Sequence, residues 1–200
     1  MKIITVANLK GGAGKTTSTA HLAHAYVARG NTVLCIDADP QESLYEWAGA
    51  AGWDIPVERM AHDTIPAKLA GMVTEYDIVL IDTPPSKKEA HITASAILAA
   101  DQLVIVAAPT MTEVKRIPRT LEHLQATFDM RPDLDVRVLF NRVVPNASST
   151  EAFRSALEGM GLSVLRAGIP RREAVAQAED LKITRLHNYD TAAQEMEAAK

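Results

Sequence analysis

Cysteine is nearly absent from this chain: its 200 residues include one, Cys35. A single thiol can neither close an intramolecular disulfide nor supply a four-cysteine metal site, and it fits a reducing cytoplasm. Lying in an apolar run, Cys35 reads as a small core residue. Aromatic residues make up 4% of the chain, which disfavours RNA-binding modules that stack bases on sheet aromatics. Long apolar stretches are missing as well. The longest, Ala94 to Pro109, is broken by Asp101 and Gln102 and falls short of the roughly 20 residues that a membrane span needs. The start, MKIITVANLKGG, has no apolar stretch of the kind found in a secretory leader, so a cytoplasmic protein without membrane attachment is expected. Positive charge is not in excess either. A net charge of −4 argues against a general nucleic-acid-binding coat.

Hydrophobic residues at 47% and charged residues at 23% fit a globular chain with a core of Ala, Val, Leu and Ile. The length suits one domain spanning 1–200, and whether the last segment, about 186–200, is appended to it stays open. Charge is unevenly spread. Residues 137–185 hold 8 basic and 5 acidic side chains, making this the net-basic part of the chain. Arg154, Arg166, Arg171, Arg172, Lys182 and Arg185 lie there and are candidate contacts to DNA phosphates. A solvated helix face, with Arg172 paired to Glu173 or Glu179, is an equal reading of the same charges.

Apolar, β-branched Lys2 to Ala7 reads as a buried strand, followed by a glycine-rich loop and an Ala-rich helix reaching Arg29. Gly30-Asn31 marks the helix stop. Thr32 to Ile36 is a second strand ending at Asp37-Ala38-Asp39-Pro40, and Pro40 opens a helix over Gln41 to Ala50. Further strands are expected at Asp77 to Ile81, Gln102 to Ala107 and Val136 to Phe140, each after a helical segment. Residues 146–200 read as mostly helical with a brief strand near Ser163 to Arg166. This alternation predicts an α/β fold, a doubly wound and mostly parallel sheet flanked by helices, with its ligand at the carboxyl ends of the strands.

The loop reads Lys10-Gly11-Gly12-Ala13-Gly14-Lys15-Thr16-Thr17. A standard Walker A would place glycine at position 9, where this chain has Leu9. The remaining glycines still allow backbone N–H groups to turn around phosphate oxygens at a helix N-terminus. Lys15 would reach the β and γ phosphates, Thr16 would coordinate Mg²⁺ and Thr17 would touch the α phosphate. A carboxylate at a strand end can hold the water of a bound metal ion while another orients an attacking water. Asp82 suits the metal side. Asp39, standing before Pro40, also suits a helix N-cap. His21 and His24 have no third ligand candidate and read as packing or surface residues.

With Lys10 ahead of these glycines, the chain resembles the deviant Walker A family of P-loop ATPases, which includes ParA-type partition proteins, MinD and relatives of nitrogenase iron protein. Asp37-Ala38-Asp39-Pro40-Gln41 is similar to the family's DxDPQ element, and Ile78 to Pro85 to its Walker B strand and switch. The resemblance covers most of the chain to about residue 180. It implies ATP and Mg²⁺ as cofactors and an ATP-dependent homodimer in which Lys10 contacts the partner's ATP. It further implies that Asp39 positions the hydrolytic water, with Asp37 supporting the phosphate and metal network. Asn141 would read adenine, with Pro170 of the Ile169-Pro170-Arg171 segment on the other side of the base. As a residue following a strand, Asn141 is also a plain turn residue.

A cluster-bridged iron protein needs two cysteines per subunit and is excluded. A basic amphipathic membrane helix is not expected in Leu186 to Lys200, where Asp190, Glu195 and Glu197 face Lys200 alone. The reading that follows is a small ParA-type partition ATPase, with no room for an N-terminal helix-turn-helix domain. It would bind DNA nonspecifically and segregate a plasmid or similar replicon with a ParB-like centromere-binding partner. Two alternatives stand beside it: positioning of a protein cargo by the same cycle, and a metabolic P-loop ligase similar to dethiobiotin synthetase.

Overall fold

The computed structural model describes residues 1–8, 10–72, 75–85, 87–145 and 147–198. Among the described residues, seven strands form a single sheet in which every pairing is parallel. They are β1 (Lys2–Ala7), β2 (Val33–Asp37), β3 (Val57–Arg59), β4 (Ile78–Asp82), β5 (Gln102–Ala107), β6 (Asp135–Val143) and β7 (Ser163–Pro170), in the order β3-β2-β4-β1-β5-β6-β7. The helices are α1 (Lys15–Ala28), α2 (Ser43–Ala51), α3 (Ile65–Leu69), α4 (Ala90–Ala99), α5 (Met111–His123), α6 (Gln125–Asp129), α7 (Ser148–Glu158), α8 (Glu173–Ala176) and α9 (Tyr189–Glu197).

Alternation along the strands builds two cores. Ile4, Val6, Leu80, Val104 and Leu139 face α1, α2 and α9, while Ile3, Ile81, Ile105, Val138 and Phe140 face α3, α4, α5 and α7. With both faces covered, the strands can be continuously apolar, which is why they stand out in the sequence. Full burial of each such side chain contributes about 1.5–3 kcal/mol. From β1 the chain moves toward β2, and from β5 it moves the other way toward β6. The reversal opens a crevice at the carboxyl ends of β1 and β5.

The end of α1 near Arg29 matches the sequence reading, while its start at Lys15 takes in the last residues of the glycine-rich loop. Gly30 adopts φ 87°, and Asn31 N–H closes onto Tyr26 O at 3.1 Å, a left-handed helix ending that glycine favours. Elsewhere the structure departs from expectation. Helix α2 begins at Ser43, and Pro40 lies in the preceding turn. Strand β3 was not foreseen, being three residues long with Glu58 and Arg59 exposed. The described residues 147–198 are less helical than the expectation for 146–200: β7 runs to Pro170, and 177–188 contain no helix.

The extra length of β7 comes from a shift in register, since Val138 pairs with Val164 but Phe140 pairs with Gly168. Two side chains, buried Arg154 and partly buried Glu195, serve the displaced backbone. Arg154 of α7 donates to the carbonyls of Val164, Leu165 and Arg166, and Glu195 of α9 accepts the N–H groups of Arg166 and Ala167 at 2.6 and 2.8 Å. Helix α9 lies against α1 and β7, with Tyr189, Ala192, Ala193 and Met196 fully buried. Arg137 and Lys2 donate to carbonyls in its last turn.

Candidate functional site

Helix α1 starts without a side-chain cap and has no acid in its first turn. Its N-terminal amides therefore face the loop unopposed, an arrangement suited to an anion. Lys15, the first residue of α1, is buried. Burial lowers its pKa, and the nearby Asp82 and Asp39 carboxylates counter that effect.

Asp82 ends β4 between Val6 of β1 and Asp37 of β2. Thr16 donates its hydroxyl to Asp82 Oδ2 at 2.6 Å, and Thr19 Oγ1 lies 3.4 Å from Oδ1. Burial pushes the Asp82 carboxyl up to about 7, with Asp37 and Asp39 adding to the rise and the Thr16 bond and Lys15 opposing it. Three carboxylates near one ammonium leave a local excess of negative charge. A hydroxyl and a buried carboxylate are hard oxygen donors, so Thr16 and Asp82 fit a small divalent cation. Among the described residues no cluster of three or more His, Cys, Asp or Glu has metal-binding geometry, and any such ion would need ligands beyond protein carboxylates.

Asp37 and Asp39 hold the turn after β2. Asp37 accepts the Asp39 N–H at 3.0 Å and the Tyr45 N–H at 2.9 Å, so both its oxygens are engaged by backbone. Asp39 accepts the Gln41 N–H at 3.0 Å. It does not cap α2, whose N-cap is Glu42.

Beside the loop opens a cleft of about 590 Å³, lined by Gly14, Thr17, Asn141, Pro170, Arg171 and Arg172, among others. The geometry thus brings together the P-loop end, Asn141 and Pro170, as the sequence reading required. Asn141 belongs to β6 itself and does not follow the strand. Its Nδ2 donates to Ala13 O at 3.1 Å and its Oδ1 accepts Arg142 N–H at 2.8 Å, which ties the sheet to the loop. Arg142 adopts φ 60° at this point.

Lys10 is half-exposed and pairs within its own chain with Glu113 Oε1 of α5 at 3.0 Å. Sequence reasoning missed Glu113, which is 103 residues away and carries no local motif.

The six basic candidates do not form one surface. Arg154 is 4% exposed and spends its guanidinium on β7 carbonyls, so its assignment to DNA is corrected: the irregular strand needs those donors internally. Arg171 and Arg172 line the cleft beside Pro170, at the segment that the resemblance set against the base. Arg166 is exposed and pairs with Glu151 at 3.4 Å and Glu158 at 3.9 Å. Lys182 and Arg185 are exposed in the segment before α9. His21 is buried and stacks on Tyr189 at 4.9 Å, while His24 packs edge-on to Trp53 at 4.7 Å. Cys35 is buried and unbridged. No described helix is long and apolar enough to cross a membrane.

Residues 4–184 match the CobQ/CobB/MinD/ParA nucleotide binding domain. The chain is 30% identical over 179 residues to the maintenance of carboxysome distribution protein A of Halothiobacillus neapolitanus, covering 88% of this chain and 82% of that protein. The protein of the same name from Gloeobacter kilaueensis is 34% identical over 185 residues, covering 88% and 77%. The chromosome partitioning protein ParA of Caulobacter vibrioides is 28% identical, covering 89% and 84%. Among solved structures, a Cyanothece McdA complex with ATP superposes with a TM-score of 0.78 at 20% identity, covering 100% of this chain and 98% of that one.

Proposed function

Because the chain belongs to the CobQ/CobB/MinD/ParA nucleotide binding domain family, we propose that it is an Mg²⁺-dependent ATPase that positions a large protein assembly within the cell. The observation carrying this reading is the identity of 30% and 34%, across 88% of the chain, to two carboxysome-distribution proteins. It favours a protein cargo over the replicon of the sequence reading.

In this reading the amides of Gly11, Gly12, Ala13 and Gly14 and of the first turn of α1 hold the ATP phosphates. Lys15 neutralises the β and γ oxygens and Thr17 meets the α phosphate. Thr16 and Asp82 would hold Mg²⁺, Asp82 through water, and the ion supplies charge neutralisation on the phosphates. Asp39 orients the attacking water, and Asp37 keeps Asp39 in place through its backbone N–H. Asn141 and Pro170 flank adenine. Lys10 reaches the ATP of a second copy, so the ATP-bound form is a homodimer.

Such a dimer would use DNA as a nonspecific track, through exposed cations such as Lys182, Arg185 and Arg166. A partner on the cargo would take the place that a ParB-like protein has in partition. Replicon segregation is the second reading, favoured by the 28% identity to a chromosome partitioning protein.

Deleting the gene in its native cell distinguishes the two. Cargo positioning predicts protein bodies that cluster or pass to one daughter while replicons are inherited normally. Replicon loss with evenly spread protein bodies would overturn it.

A further inference from the structure

A second ionic centre adjoins the phosphate loop. Glu113 lies in the first turn of α5, with its side chain 3% exposed. Thr110, which lines the cleft, caps this helix and accepts the Glu113 N–H on its hydroxyl at 3.4 Å. In a reciprocal capping box the acid would turn back to the N–H of the cap residue. Here the Thr110 N–H goes instead to Ala108 O at 2.8 Å, and the carboxylate turns to two cations. Glu113 Oε1 accepts from Lys10 Nζ at 3.0 Å and from Arg116 Nη1 at 2.8 Å. Oε2 is buried and has no hydrogen-bond partner among the described residues. The backbone of Lys10 is fixed as well, because Asn8 Oδ1 accepts its N–H at 3.0 Å while Asn8 Nδ2 donates to Val106 O at 2.8 Å.

We propose that Glu113 is a positioning residue that holds Lys10 within its own subunit and sets how much ATP is needed before Lys10 moves to the phosphates of a second copy. The proposal rests on the ATP-dimer reading above. A buried carboxylate favours a paired cation because water reaches it poorly. The grip is limited, since one oxygen stays unsatisfied and Lys10 is half-exposed. A triphosphate is the stronger anion and can win the exchange. Arg116 competes with Lys10 for the same oxygen. Removing Glu113 therefore frees Lys10, whereas removing Arg116 leaves the carboxylate to Lys10 alone and tightens the hold.

Glu113→Gln and Arg116→Gln accordingly pull in opposite directions, while damage to α5 would shift both the same way. The test has two arms. Light scattering follows dimer formation as ATP is titrated at fixed Mg²⁺, and a lysine-reactive ester followed by peptide mass spectrometry measures labelling of Lys10 in nucleotide-free protein. Glu113→Gln should dimerise at about threefold to fivefold lower ATP, the range set by an ion pair of about 1 kcal/mol, and should label faster at Lys10. Arg116→Gln should need more ATP and label more slowly. Shifts in the same direction, or unchanged Lys10 labelling in both variants, would overturn the proposal. Should Glu113→Gln fail to fold, slower labelling in Arg116→Gln supports the hold, and equal or faster labelling refutes it. Absence of any ATP-driven dimer in the parent chain would count against the dimer reading, and the labelling contrast would then decide the role of Glu113 separately.

Discussion

Asn141 and Gly14 touch across the mouth of the nucleotide cleft so closely that a Cβ on Gly14 would lie 2.3 Å from Asn141 Nδ2. Gly14 also has φ 90°, a backbone state that costs an L-residue about 1–3 kcal/mol. Gly14→Ala therefore meets two obstacles, one steric and one torsional. ATP affinity should fall by about tenfold or more. In calorimetric titration, an Asn141→Ala background should recover part of that loss: Gly14→Ala should cost less affinity there than in the parent, because the steric obstacle is gone and the loss of the Asn141 contact itself is common to both proteins compared. No recovery would place the whole cost in the backbone.

Asp82 gives the nucleotide-free protein a defined pH dependence. Its carboxyl is raised from 3.8 to about 7 in the fold, so between these values the unfolded chain ionises while the folded chain stays protonated. Stability contributed by the neutral form is present below about pH 4, is lost as pH rises to about 7, and stays lost above. Asp82→Asn should remove this decline and raise the midpoint of thermal unfolding at pH 8, by an amount equivalent to a few kcal/mol. It should also abolish the Mg²⁺ dependence of ATP binding. A melting curve for Asp82→Asn that tracks the parent from pH 4 to pH 8 would contradict the assignment.

Asp39 bonds one backbone N–H and caps no helix, so its substitution should spare the fold. Asp39→Ala should still bind ATP and dimerise, while single-turnover hydrolysis falls by about a hundredfold or more, as for loss of a group that orients the nucleophile. Hydrolysis at the parental rate would move this role to another residue.

Arg171 and Arg172 line the cleft beside Pro170. Replacing both with Ala should weaken ATP binding by about fivefold or more through lost charge and packing near the nucleotide. Unchanged ATP affinity, combined with a shallower salt dependence of DNA binding, would return these residues to the DNA surface.

The loop and the five inner strands were legible because each is local: a buried parallel strand is a continuous apolar run, and the loop's glycines and lysine are adjacent in sequence. Thr16 and Asp82 each stand in such a local motif, although their hydrogen bond spans 66 residues. What escaped depends on the placement of distant segments. Arg154 looked like a surface cation because charge alone does not disclose a register shift in β7 whose carbonyls need donors. Arg171 and Arg172 read as DNA contacts by charge, while the resemblance set their segment beside the base; the sheet order brings that end of β7 to the mouth of the P-loop. Glu113 reads as an ordinary first-turn acid until the crevice between β1 and β5 sets it against Lys10. Strand β3 lacks the apolar run that marked the others, since Glu58 and Arg59 sit at an exposed sheet edge.

Equilibrium binding of ATP with Mg²⁺ to the parent chain and to Lys15→Ala, measured side by side, decides whether this loop holds the phosphates. Lys15 is the buried cation at the start of α1 beside Asp82 and Asp39, and its proposed partners are the β and γ phosphates. The parent should bind ATP, and Lys15→Ala should lose about a hundredfold or more in affinity, as expected for removal of a buried charge-assisted contact of about 3 kcal/mol. Equal affinity in the two proteins would contradict the assignment of this loop as the phosphate site.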